Sequence, residues 1–127
     1  MTPPGLAFVG DAVYTLYVRK RVVESVDCSG GTVHVAATKY VNAKAQAEVF
    51  DALAERGALT DEEAEIARRA KNAHLHSRAK GATPSDYHKA TALEAVIGYL
   101  YLDGRYDRVN ELLDECANCS GLADPSK

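Results

Sequence analysis

A chain of 127 residues that is 46% hydrophobic and 26% charged has globular composition and the length of one domain of roughly 100–150 residues. A net charge of −3 gives no overall attraction to polyanions, and three cysteines, an odd number, do not make a disulfide framework, although Cys116 and Cys119 form a C-x-x-C. The first basic residue, Arg19, follows the N-terminal apolar run instead of preceding it. Asp11 and the cluster Arg19, Lys20, Arg21 also hold that run below the roughly 20 apolar residues of a membrane span, so a cytoplasmic protein without leader or membrane anchor is expected.

In chain order, Leu6, Val9, Val13, Leu16, Lys20 and Val23 step by three and four, which predicts a helix from about Gly5 to Glu24. Phe8, Val18 and Val22 lie around Asp11 and Thr15 on the other side, so this helix is apolar nearly all round and belongs inside the domain or at an interface. Cys28 to Gly31 reads as a loop. An Ala-rich helical region follows from Thr32 to Arg56, with a possible break near Tyr40 to Asn42 and Gly57 at its C-terminus. Thr60 and Glu63 form a T-x-x-E capping box opening a third helix to about Asn72, with Asp61 and Glu62 complementing its dipole.

The stretch HLHSRAKGATPS, His74 to Ser85, lacks apolar periodicity and reads as a long basic loop. A fourth helix is expected from Tyr87 to Leu102 and a fifth from about Tyr106 to Cys116, with a fraying polar tail from Ala117. The expected fold class is therefore all-α, with one domain over residues 1–116, a disordered tail over 117–127 and no separate second domain expected after it.

Charge is unevenly placed. Between Arg68 and Lys89 there are six Lys/Arg residues against one acid, and three of the four histidines, so this segment is about +5 in an otherwise acidic chain. A solvated face is the ordinary explanation of such a run, but in a net acidic protein a polyanion site is the better one. His74 and His76 are two residues apart, which suits no helical metal pair, and with no second cysteine pair near Cys116 and Cys119 a four-ligand zinc site is not expected.

Asp11 is the only charged residue among the first eighteen, and Glu94 the only one between Lys89 and Asp103. On the fourth helix Leu93, Val96, Ile97 and Leu100 form the core stripe, while Thr91, Gly98 and Tyr101 share the Glu94 side and, being small or hydroxyl-bearing, leave room for a ligand. An ionised carboxylate in an apolar setting costs several kcal/mol unless it is compensated. For Asp11 the compensation is either internal, through Tyr14, Thr15 or an arginine, or a divalent cation that Asp11 and Glu94 hold together.

These residues carry a specific resemblance. FVGDAV followed by LYVRKRVV is similar to the signature helix of the ribonuclease III superfamily, and ALEAVIGYLYLDG to its second acidic helix. GLAFVGDAVYTLYVR, YVNAKAQAEVF, ARRAKN and YHKATALEAVIGYLYL, in this order and spacing, resemble the branch that consists of the catalytic domain alone, Mini-ribonuclease III.

The resemblance implies an all-helical homodimer of bacterial cytoplasm that cleaves double-stranded RNA to 5′-phosphate ends with Mg²⁺, or Mn²⁺ as a substitute, and trims the precursor of large-subunit ribosomal RNA. No membrane or nucleotide cofactor is implied. Asp11 and Glu94 match the catalytic, metal-binding acids, while Ala7 and Thr91 stand where ribonuclease III carries two more, leaving Thr91 a neutral oxygen at most. Arg68, Arg69, Lys71 and Asn72 match the family's basic RNA-binding motif; Arg78 and Lys80 join them on charge and loop position, and Lys44 and Gln46 are supporting candidates that could face RNA. The competing expectation is a dimeric helical adaptor of the same fold that binds RNA or ribosomal particles without cutting.

Overall fold

The computed structural model describes residues 2–25, 30–73 and 83–122. They form six helices: α1 (Pro3–Ser25), α2 (Gly30–Thr38), α3 (Ala43–Glu55), α4 (Asp61–Lys71), α5 (Pro84–Leu102) and α6 (Tyr106–Ser120), with no strand among the described residues.

Helix α5 is the axis of the domain. Its buried residues, from Ala90 to Leu100, fall on all sides of the helix, because α1, α3 and α4 surround it and α6 packs at its end. Leu93, Val96, Ile97 and Leu100 are buried as the stripe predicts, and with Val22, Leu53 and Leu112 they make the centre of the core. No described helix is long and apolar enough to cross a membrane.

Local chemistry sets the helix ends. Asn42 falls in the predicted break and caps α3, its side chain accepting from the Ala45 N–H at 2.8 Å. Gly57 follows with φ of 64°, the left-handed conformation that suits a residue without Cβ. The Thr60–Glu63 capping box forms. A second box, Thr83 with Asp86 around Pro84, starts α5 three residues before the expected Tyr87, so Pro84 and Ser85 are helical and not loop.

Three further expectations change. Gly30 and Gly31 belong to α2 instead of a loop. Helix α6 continues past Cys116 to Ser120, since Ala117 and Leu122 still find the core; residues 123–127 lie outside the described residues. On α1 the buried positions are Ala7, Tyr14, Val18 and Val22, whereas Phe8 (81% exposed) and Leu16 (69% exposed) face outward, as does Val23. The predicted stripe thus divides: Leu6 and Val13 pack against the core, while Leu16 and Val23 lie on the outer side of a helix that is apolar on both sides.

One buried ion pair ties α4 to α6. Glu63, only 1% exposed, accepts from Arg108 Nε at 2.9 Å and Nη2 at 2.7 Å, and from the Thr60 N–H at 3.0 Å, while the same guanidinium donates to the Ala58 carbonyl at 2.8 Å. Nothing in the spacing of the sequence announced Arg108 as this partner. Burial alone would raise the carboxyl's pKa, but the Arg108 and Thr60 hydrogen bonds outweigh it and hold Glu63 below the ordinary range.

Candidate active site

The site begins with two glycines. Gly10 on α1 lies against the backbone of Glu94 on α5, where a Cβ would stand 1.7 Å from the Glu94 carbonyl oxygen. One turn on, a Cβ on Gly98 would meet the Leu6 carbonyl oxygen at 1.9 Å. The two helices therefore touch backbone to backbone, and the space beside Gly98 read from sequence as room for a ligand is filled by α1.

That approach sets Asp11 beside Glu94. Asp11 is exposed, contrary to its expected burial, while Glu94 is set deeper, and the two carboxyls lie close enough to interact. Gln46, reaching across from α3 and only 4% exposed, donates its Nε2 to Glu94 Oε2 at 3.4 Å. The amide of Gln46 thus belongs to the carboxylate pair and not to an RNA-facing surface, whereas Lys44, two residues earlier, is exposed. Burial, then the Asp11 hydrogen bond and charge, push the pKa of Glu94 up to about 9, against a smaller lowering by Gln46. Two carboxyls in contact cannot both ionise cheaply, so the pair retains a proton at neutral pH unless a cation replaces it.

Ala7 and Thr91 are both buried one turn before Asp11 and Glu94 on their helices, so the packing that unites the pair also occupies the positions of the missing acids. Among the described residues no group of three or more His, Cys, Asp or Glu side chains could hold a metal ion. Two carboxylates with hard oxygen donors and one open side still fit Mg²⁺, which is commonly held by one or two carboxylates, substrate phosphate and water. Beneath the pair, Tyr14 is buried, and its burial, then Cys116 and Glu94, raise its hydroxyl pKa so that it stays neutral. Cys116 and Cys119 are free thiols, Cys116 buried in the core.

The basic segment divides. Arg68 is engaged by Glu65 on its own helix at 2.7 and 2.9 Å. Arg69 lines an apolar cleft with Leu6, Ile66, Tyr99 and Leu102. Lys71 and Asn72 instead open onto a polar cleft shared with Ser85, His88 and Lys89 at the start of α5. Arg78, Lys80, His74 and His76 lie outside the described residues.

Comparison with known proteins agrees with this architecture. A model of the ribonuclease III domain matches residues 5–105. Mini-ribonuclease 3 of Staphylococcus aureus is 41% identical over 115 residues, which cover 91% of this chain and 86% of that protein. The chain belongs to the Mini-ribonuclease 3 branch of the ribonuclease III family. Mini-ribonuclease 3 of Brevibacillus brevis is 42% identical over 113 residues, covering 89% of this chain and 83% of its own. A crystal structure of a Fusobacterium nucleatum protein superposes with a TM-score of 0.79 at 31% identity, over 90% of this chain and 89% of that one. Endoribonuclease activity on double-stranded RNA goes with membership of the Mini-ribonuclease 3 branch.

Proposed function

We propose that this chain cleaves double-stranded RNA at the Asp11–Glu94 pair, using Mg²⁺, with Mn²⁺ as a substitute, and that its substrate is a precursor of large-subunit ribosomal RNA in the bacterial cytoplasm. The observation that carries the proposal is the Gly10–Glu94 backbone contact, which places two carboxyls from separate helices against each other with one of them exposed. Structural carboxylates need no such arrangement, since a single ion pair like Glu63–Arg108 satisfies a buried acid.

Mg²⁺ held by Asp11 and Glu94 would supply an activated water and would neutralise charge growing on the phosphate. The chain's own residues do the rest. Gln46 holds one oxygen of Glu94, and exposed Asp11 provides the side from which RNA arrives. Lys71 and Asn72, with Arg68 and Arg69 earlier on α4 and Arg78 and Lys80 later in the sequence, contact phosphates and 2′-hydroxyls of the duplex without reading bases. Thr91 offers only a neutral oxygen, and Lys44 an exposed charge near α3.

The outward apolar face of α1, Phe8 and Leu16, supports a homodimer in which two such sites face one duplex and each cuts one strand. The test is cleavage of a long labelled duplex at low salt with Mg²⁺ or EDTA, beside Asp11→Asn and Glu94→Gln. Mg²⁺-dependent cutting by the parent, with variants that bind but do not cut, is expected. RNA retained by the parent and never cut, across metals, would replace the nuclease with the adaptor.

A further inference from the structure

We propose that the cleft between the C-terminal end of α4 and the first turns of α5 is a seat for one backbone phosphate of the RNA, formed by Lys71, Asn72, Ser85, His88 and Lys89. This rests on the reading of the chain as an RNA-cleaving protein and says which groups grip the strand.

The cleft has a volume of about 570 Å³, and Ala73 completes its lining. No carboxylate is among its described lining residues. Among the described residues most of the polar groups it presents have no partner. Lys71 makes no ion pair among the described residues, its ammonium resting 5.9 Å from the centre of the Phe50 ring. The side chains of Asn72 and Ser85 make no hydrogen bond among the described residues. Nδ1 of His88 is buried and has no hydrogen-bond partner among the described residues. A buried polar atom left unpaired is costly, typically about 1–3 kcal/mol, and calls for a group that arrives from outside. Lys89 has a partner, Asp51 at 2.9 Å, and so adds a held charge to the wall.

Groups of this kind, an imidazole and two ammonium groups of which one is already held by Asp51, match an anion with several acceptor oxygens, and a phosphodiester is such a group. His88 lies six residues before Glu94 on the same helix, roughly 9 Å along its axis by helical rise. Arg69, although part of the same basic run, faces a different cleft and does not reach this seat.

The experiment measures duplex binding by the Asp11→Asn protein, which keeps the RNA intact, alone and combined with Lys71→Ala, His88→Ala or Lys20→Ala. Lys71 is exposed, so its variant tests the cleft even where loss of His88 disturbs folding. The seat predicts that Lys71→Ala and His88→Ala each weaken binding several-fold at low salt, that the salt slope of Lys71→Ala becomes shallower by about one counterion, and that Lys20→Ala matches the parent. Unchanged affinity and slope in Lys71→Ala and His88→Ala overturn the proposal. In parallel, the His88 imidazole resonance is followed with inorganic phosphate. A shift with phosphate while both variants bind RNA like the parent makes the cleft a free-anion site and overturns the RNA seat. If the parent binds no RNA, the nuclease reading itself fails, and the phosphate titration alone decides: a shift keeps an anion seat and no shift removes it.

Discussion

Gly10 and Glu94 meet backbone to backbone, at a separation where a Cβ on Gly10 would fall 1.7 Å from the Glu94 carbonyl oxygen. Neither partner can yield, because the obstructing atom is main chain inside a helix buried on all sides. Gly10→Ala should therefore push α1 off α5, lowering stability by about 3 kcal/mol or more and removing cleavage together with it. Denaturant midpoints and duplex cleavage measure both; a folded variant with the parent's midpoint would show that the helices are not held this closely.

Gln46→Leu keeps the volume at the site and deletes the amide that holds Glu94. Loss of such an outer hydrogen bond commonly costs about 10–100-fold in metal affinity or activity. The Mg²⁺ concentration for half-maximal cleavage should rise by that order, Mn²⁺ binding followed by calorimetry without RNA should weaken alongside, and RNA affinity in chelator should stay the same. An unchanged metal requirement would reduce Gln46 to a packing residue.

The raised pKa of Glu94 has a definite sign for stability. Burial and then Asp11 move it from 4.5 to about 9, so the metal-free folded state keeps a proton that the unfolded chain has released over that interval. Its stabilising contribution is complete below the unfolded value and is lost as pH rises toward 9, by at most about 1.4 kcal/mol per pH unit. In EDTA at pH 8, Glu94→Gln should melt above the parent, with the gap closing toward pH 5. Equal melting across that range would mean that Glu94 pays no desolvation cost.

Glu63 behaves oppositely. Its depressed carboxyl contributes stability above the unfolded value that disappears as pH falls through the folded one, so this pair matters to acid unfolding. Arg108→Met leaves Glu63 buried without its cation and should cost roughly 3–5 kcal/mol at neutral pH, whereas the double change Glu63→Leu with Arg108→Met should recover much of it. A double-mutant cycle by chemical denaturation reads the coupling directly.

Phe8 and Leu16 are exposed in the protomer, so acidic substitutions there should leave its fold intact and act on association. Leu16→Glu is expected to halve the mass seen by sedimentation equilibrium with little change in helicity. A parent that sediments as a monomer would remove the dimer from the mechanism.

The amino-acid sequence by itself determined the all-helical class, the central stripe of α5 and the Thr60–Glu63 capping box, and it singled out Asp11 and Glu94 as isolated acids, because each rests on short-range spacing or on a motif. The faces of α1 were not legible, since apolar residues surround the helix and periodicity loses its contrast: Leu16 and Val23 read as core and lie outside, while Asp11 read as buried and is exposed. Gly98 read as open space for the same kind of reason, as a small residue looks identical whether a ligand or a second helix fills the gap. Only the tertiary structure could bring Gln46 to Glu94, Arg108 to Glu63 and His88 into the cleft with Lys71, for these pairings join distant segments. Their partners are chosen by how α1, α3, α4 and α6 settle around α5, a competition among buried surfaces that no local pattern records.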